Sequence, residues 1–165
     1  MEEVTKNEVT QSELDQFSAL LKEHEIEALV AKHKPQGLQV SFDVEWLRDN
    51  ALAASFRRTH TAGAHSITLS PLLLQWGLTD GIAFPTIILH ELGHVIDRVR
   101  NWKRYGSIEP FDHEVLEYEA DDFVVGCGWK DSLIETLRRS IALAMEHEVQ
   151  ERMARKRLSR LFNAA

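Results

Sequence analysis

The spacing of apolar residues predicts helices at both ends of the chain, with short strands between them. From Ser12 to Lys34, apolar residues recur every three or four positions, which is the period of an amphipathic helix. Thr10 followed by Glu13 is typical of a capping box at the start of such a helix. Because Pro35 and Gly37 would end it, we expect one long N-terminal helix.

Three short runs of alternating apolar and polar residues follow this helix and predict strands with one buried face. The runs are Gly37 to Phe42, Ala51 to Phe56 and His65 to Leu69. Ser70 and Pro71 then indicate the cap and the first position of a short helix.

The second half of the chain is predicted to be helical. One helix would run from Pro85 to Arg100, and Asp112 would cap a second that stops at Gly126 or Gly128. Asp131 would cap a third, long helix that reaches nearly to the C-terminus. Helices around one small sheet make an α+β fold, and we expect a sheet of three strands or slightly more.

Length and composition are those of one globular domain: 165 residues, of which 44% are hydrophobic and 27% charged. No apolar run approaches the roughly 18 residues of a membrane span, and the polar first seven residues do not resemble a signal peptide. The net charge of −7 disfavours a nucleic-acid-binding surface. We therefore expect a cytoplasmic protein with no membrane span.

The segment His90-Glu91-Leu92-Gly93-His94 carries the candidate chemistry. Residues four apart share a helix face, so the two imidazoles can hold one zinc ion. Glu91 is rotated by about 100° from His90 and can reach a zinc-bound water as a general base without being a ligand. The opposite face of this helix is apolar, and we expect it to be buried. Its members are Ile88, Leu89, Leu92, Val95, Ile96 and Val99.

Two histidines leave zinc one protein ligand short, and the next predicted helix offers several candidates. Glu117 borders the apolar stripe of that helix and can point inward to a shared metal. Asp121 lies one turn further along the same face, where it can accept the second ring N–H of a ligand histidine and fix its tautomer. Glu119, on the other border of the stripe, and His113 remain alternative third ligands.

An HExxH motif followed on a later helix by Glu-x-x-Ala-Asp resembles the gluzincin metallopeptidases, in particular the HtpX and CAAX prenyl protease group and the soluble minigluzincins. Three further stretches fit. Asn50 to Ala53 is similar to the edge strand that binds substrate backbone in that group, and the others are His65 to Leu74 and Phe123 to Leu137. The resemblance covers roughly Asp49 to Leu137.

The resemblance implies a zincin-like domain and a role for each residue of the predicted site. The zinc ligands would be His90, His94 and Glu117, with Glu91 as the general base and Asp121 supporting a histidine.

The resemblance also implies that Asn50 and Ala51 hold a peptide substrate as an added strand beside the sheet. The tetrahedral oxyanion of peptide hydrolysis needs a further donor, for which the candidates are Tyr118, His147 and Arg152.

We therefore expect a single metallopeptidase-like domain with its catalytic core in residues 49–137. Residues 1–48 would add a helix and a strand that the resemblance does not cover, and residues 138–165 a C-terminal helix. The predicted function is zinc-dependent endopeptidase cleavage of a peptide or protein substrate.

Other classes of protein share parts of this pattern. A non-catalytic or latent zinc-stabilised regulatory or binding protein of the same fold is the main alternative, although a purely structural site has no use for Glu91. In a latent enzyme, the N-terminal helix or the C-terminal tail would cover the cleft. Another alternative is a protease acting on DNA-bound proteins, similar to SprT-like enzymes. The basic last helix favours this alternative, but those enzymes have a third histidine where this chain offers Glu117.

Overall fold

The computed structural model describes residues 8–57, 63–101, 112–144 and 148–164. Within these ranges the chain is a mixed α+β fold, as predicted, with three strands and seven α-helices. The strands are β1 (Gln39–Val44), β2 (Ala53–Arg57) and β3 (Ala64–Leu69). The helices are α1 (Gln11–Glu23), α2 (Ile26–His33), α3 (Leu72–Gln75), α4 (Ala83–Arg100), α5 (His113–Gly126), α6 (Lys130–Leu143) and α7 (Glu148–Asn163).

The three strands form one sheet in the order β1-β3-β2, which confirms the predicted three-stranded sheet. The central strand β3 is buried along its whole length, pairing in parallel with β1 and antiparallel with β2. β2 is therefore an edge strand, and a 3₁₀ turn at Arg48–Asn50 leads into it. None of the described helices is both long and apolar enough to cross a membrane.

The N-terminal helical run is split, so the prediction of one long helix is wrong. Glu25 adopts a left-handed backbone conformation, with a φ of 50°, and separates α1 from α2. The predicted capping box at the start of α1 is confirmed by bonds of 3.2 Å and 2.8 Å between Thr10 and Glu13. The bend turns α2 so that Ile26 and Val30 are buried in the same core as Phe17 of α1.

The prediction of a single long C-terminal helix is also wrong. α6 ends at Leu143, and α7 starts at Glu148 and packs back against α6. Asp131 lies in the first turn of α6 and does not cap it. A continuous helix would have carried its last turns away from the domain, whereas the reversal buries Ala154 and Leu161 in the core.

The active-site helix predicted from the motif is α4, which packs against the sheet and against α5 and α6. Its predicted apolar face is buried from Ile88 to Ile96, with each member at most 3% exposed. Val99 differs from that prediction and is 44% exposed, because it lies in the last turn of the helix. The apolar face of α4 is thus fixed in the core, and the face that carries the HExxH motif points away from the core.

Candidate metal centre

Three side chains of α4 converge and could together hold a metal ion. The ligand atoms of His90, Glu91 and His94 all lie within 4.8 Å of one another. His90 and Glu91 are buried and His94 is partly buried. Their spacing along the helix explains the arrangement, since residues four apart are neighbours on one face.

Glu117 of α5 brings a carboxylate to the same point. Its Oε2 atom lies 3.2 Å from His90 Nε2 and its Oε1 atom 3.1 Å from His94 Nε2, while the two Nε2 atoms are 3.1 Å apart. Ligand atoms at about 2.0–2.1 Å from a tetrahedral zinc are separated from one another by about 3.3 Å. The two histidines and Glu117 therefore have a spacing that fits three ligands of one zinc ion.

The close approach of α4 and α5 depends on the glycine inside the motif. A Cβ atom built on Gly93 would lie 3.0 Å from the Cα atom and 3.1 Å from the carbonyl oxygen of Ala120. These are backbone atoms of α5, so no side-chain rotation could relieve the contact. The absence of a Cβ at Gly93 thus lets α5 come near enough for Glu117 to reach the histidines.

A buried carboxylate orients the first histidine. Asp121 is fully buried, and its Oδ1 atom lies 3.0 Å from His90 Nδ1. Arg157 of α7 donates to both oxygens of Asp121, over 2.9 Å from Nε and 2.6 Å from Nη2. Its Nη1 atom lies 3.1 Å from Glu117 Oε2. With Nδ1 donating to Asp121, Nε2 is the ring nitrogen of His90 that faces His94 and Glu117 and is left to bind a metal.

The ionisation of these groups indicates that the cluster stabilises positive charge. Burial and the charge of Arg157 lower the pKa of His90. Glu117 and Asp121 have the larger, opposite effect and raise this pKa to about 9. Burial raises the pKa of Glu117, yet His90, His94 and Arg157 hold it well below its usual range. Burial raises the pKa of Asp121. Hydrogen bonds from Arg157 and His90 stabilise its charged form by more than this and lower the pKa to about 2.

A cleft of about 330 Å³ adjoins the cluster, and we call this space the cleft from here on. His90, Glu91 and Glu117 line it, together with residues of α6 and α7 and the segment Asn50–Ala53 that leads into β2. Asn50 and Ala51, the predicted substrate-binding residues, thus lie on the same space as the histidines. Their role in binding a substrate stays a prediction.

Comparison with known protein families, with curated proteins and with solved structures found no match for this chain. The resemblance to gluzincins therefore stays an expectation from the sequence motifs alone.

Two of the three oxyanion candidates, Tyr118 and Arg152, gain no support from their positions. The hydroxyl of Tyr118 donates to Glu114 Oε1 over 2.6 Å, because this residue lies about 100° around α5 from Glu117. Arg152 borders a separate surface hollow on α7. Neither of them lines the cleft, and His147 lies outside the described residues.

The two alternative third ligands also lie away from the cleft. His113 is exposed in the first turn of α5, and Glu119 is not one of the residues that line the cleft. Glu119 points about 200° around the helix from Glu117, so only one of the two can face the histidines.

Arg157 is a residue of the site that no sequence motif indicated, because it lies among the other basic residues of the last helix. A signal was present, since Arg157 lies three residues after Ala154 and four before Leu161. Both of these apolar residues are buried. An arginine within the apolar stripe of a helix needs a buried partner, and Asp121 and Glu117 are such partners.

Proposed function

We propose that this chain is a zinc-dependent peptidase of the gluzincin type. The observation that carries the proposal is the mutual spacing of His90 Nε2, His94 Nε2 and the Glu117 carboxylate, 3.1–3.2 Å on all three sides. The two nitrogens approach different oxygens of this carboxylate. Two imidazoles and one carboxylate suit zinc, and three protein ligands with an open fourth position are typical of catalytic zinc sites.

The surroundings of the three ligands favour catalysis over a purely structural site. A zinc ion held there would polarise a carbonyl oxygen and lower the pKa of a water molecule. Glu91 lines the cleft beside His90 but is not needed as a ligand. In this proposal Glu91 would take a proton from the attacking water and deliver it to the leaving amine.

The edge of the sheet offers a place for the backbone of a substrate. Within the described residues, β2 pairs with β3 alone, so the outer edge at its start, before Ser55, would accept an extended peptide. Arg98 of α4 donates to the Ser55 carbonyl over 3.1 Å and fixes β2 relative to the motif helix. Asn50 and Ala51 at the start of this edge would hold the peptide next to Glu91.

The test is zinc content together with peptide cleavage, for the wild-type protein and for Glu91→Gln. We expect one zinc per chain in both proteins and cleavage by the wild type only. The expected loss in Glu91→Gln is at least the roughly 10²–10⁴-fold that a general base contributes. Zinc in both proteins with no cleavage by either would instead favour a zinc-stabilised regulatory or binding protein, and a wild type without zinc would refute the proposal.

A further inference from the structure

We infer that Arg98 of α4 closes the outer edge of β2 after Ala53, so that only a short stretch of substrate backbone can pair with this edge. The substrates are then short peptides, or segments next to a chain end or a turn, rather than long extended strands. The inference rests on the proposed peptidase function, because it concerns the same edge. It adds a limit on the substrate that neither the motif nor the metal ligands specify.

The backbone groups of β2 alternate between its two edges. Ser70 donates its N–H to the Leu52 carbonyl over 2.9 Å, so this carbonyl faces β3. Successive carbonyls of a strand point in opposite directions, and those of Ala53 and Ser55 therefore face outward, away from β3. A strand added to this edge would hydrogen-bond first to Ala53 and next to Ser55, about 7 Å further along.

The guanidinium group of Arg98 occupies the outer side of Ser55. Its Nη2 atom donates to the Ser55 carbonyl over 3.1 Å and to the hydroxyl oxygen of the same residue over 3.3 Å. The hydrogen bonds between strands have N···O distances of about 2.9–3.0 Å, and neighbouring strands lie about 4.8 Å apart. The guanidinium group therefore lies where the backbone of an added strand would lie, and a peptide that pairs with Ala53 cannot also pair with Ser55.

Arg98 belongs to the helix face that carries the two histidines. His90, His94 and Arg98 follow one another at intervals of four residues, which places Arg98 one turn past His94 on α4. Val95 and Ile96 are 0% and 3% exposed and hold this turn of the helix in the core. A hydrogen bond from a charged donor is also about twice as strong as one from a neutral donor, so the N–H of a substrate does not displace Arg98.

The cleft ends at the same point of the edge. Among the described residues of this segment, Ala51, Leu52 and Ala53 line the cleft, whereas Ser55 does not. The space for a substrate beside β2 therefore stops before the contact between Ser55 and Arg98. Two separate features, the hydrogen bonds of Arg98 and the extent of the cleft, thus limit backbone pairing to the start of β2.

The experiment uses alanine peptides of increasing length that carry a hydroxamate group, because this group chelates zinc and fixes the position of the chain. One series extends from the hydroxamate to the amino side and the other to the carboxyl side. Calorimetry with zinc-loaded Glu91→Gln gives the affinities without cleavage. In the series that runs along β2 toward Arg98, we expect the affinity to rise until an alanine pairs with Ala53 and then to stay constant.

Removing Arg98 should extend the edge. In Arg98→Ala, with Glu91→Gln also present, further alanines should raise the affinity by about two- to tenfold, the effect of one hydrogen bond. N-methylation of the amide that faces Ser55 should cancel this gain, because it removes the donor. Arg100→Ala is the matched control, since it removes the same charge from an exposed position of the same helix, and it should keep the limit.

The protein that keeps Arg98 tests the inference even if Arg98→Ala folds poorly. In that protein, N-methylation should weaken binding at the amide that faces Ala53 and not at the next one along the edge. Affinity that keeps rising with length, or an Arg98→Ala that binds zinc and behaves like Arg100→Ala, would overturn the inference alone. A limit that Arg98→Ala removes, with a wild type that cleaves no more peptide than Glu91→Gln, would support the inference and overturn the proposed function.

Discussion

The substitution Gly93→Ala tests whether the contact between α4 and α5 sets the metal site. The added Cβ atom would lie 3.0 Å from the Ala120 Cα atom and 3.2 Å from the Phe123 Cβ atom. Carbon atoms pack best at about 3.5–4.0 Å, so α5 has to move away by a few tenths of an ångström. Glu117 lies on α5 and would move with it, whereas zinc–ligand distances tolerate deviations of only about 0.2 Å.

We therefore expect Gly93→Ala to weaken zinc binding by at least about tenfold, the lower end of the effect of disturbing groups around a metal. The assay is competition with a chromophoric chelator, with thermal unfolding in chelator to verify that the fold persists. Gly126→Ala is the matched control, because a Cβ on this helical glycine of α5 meets no atom within 4 Å.

Ala120→Gly should not restore the affinity of Gly93→Ala, since the atoms in contact belong to the backbone of residue 120. Zinc binding by Gly93→Ala as tight as that by Gly126→Ala would refute this prediction, because α5 would then have room for a Cβ atom at residue 93.

Further predictions concern the ligands, the rim of the cleft and pH. Glu117→Ala should abolish tight zinc binding, Asp121→Asn should lower affinity by about 10–100-fold, and Glu119→Ala should have little effect. Metal analysis after dialysis against a weak chelator checks all three, and metal lost from Glu119→Ala but kept by Glu117→Ala would contradict the assignment. Asn50→Ala should leave zinc bound and slow peptide cleavage by the equivalent of about 0.5–1.5 kcal/mol, one hydrogen bond, so unchanged kinetics would exclude Asn50 from substrate binding. The raised pKa of His90, about 9, stabilises the metal-free protein fully below the ordinary value of 6.5, and this stabilisation is lost as the pH rises through 9. Urea unfolding in chelator should therefore give a lower free energy of unfolding at pH 9 than at pH 6.5, and an equal value would show that Glu117 and Asp121 do not stabilise a charged His90.

The parts of the site that could be predicted are those that local sequence determines. The histidines and Glu91 lie within one turn of α4, so the helical period alone brings them to one face. The capping aspartate Asp112 set the start of α5, as its hydrogen bonds to Glu114 and Val115 confirm, and a correct start gives Glu117 a known position on the helix.

The parts that could not be predicted depend on contacts between distant segments. The breaks at Glu25 and after Leu143 lie inside runs whose period is helical on both sides, so the pattern gave no local signal for a reversal. Packing of each second helix onto the core decides the break, through residues such as Ile26 and Ala154. Because the break after Leu143 was not predicted, the position of Arg157 beside the HExxH motif was not predicted either.

The position of Arg157 beside the motif explains how three carboxylates can lie close to His90, which is buried, and His94, which is partly buried. Glu91, Glu117 and Asp121 would repel one another in a poorly hydrated site. Arg157 pairs with both oxygens of Asp121 and with one of Glu117, which balances one negative charge and leaves an excess at the end of the cleft where His90 and His94 face each other. A divalent cation between the two Nε2 atoms would remove this excess. In the metal-free protein, a proton on His90 does so in part, and zinc and proton are therefore expected to compete for the same charge.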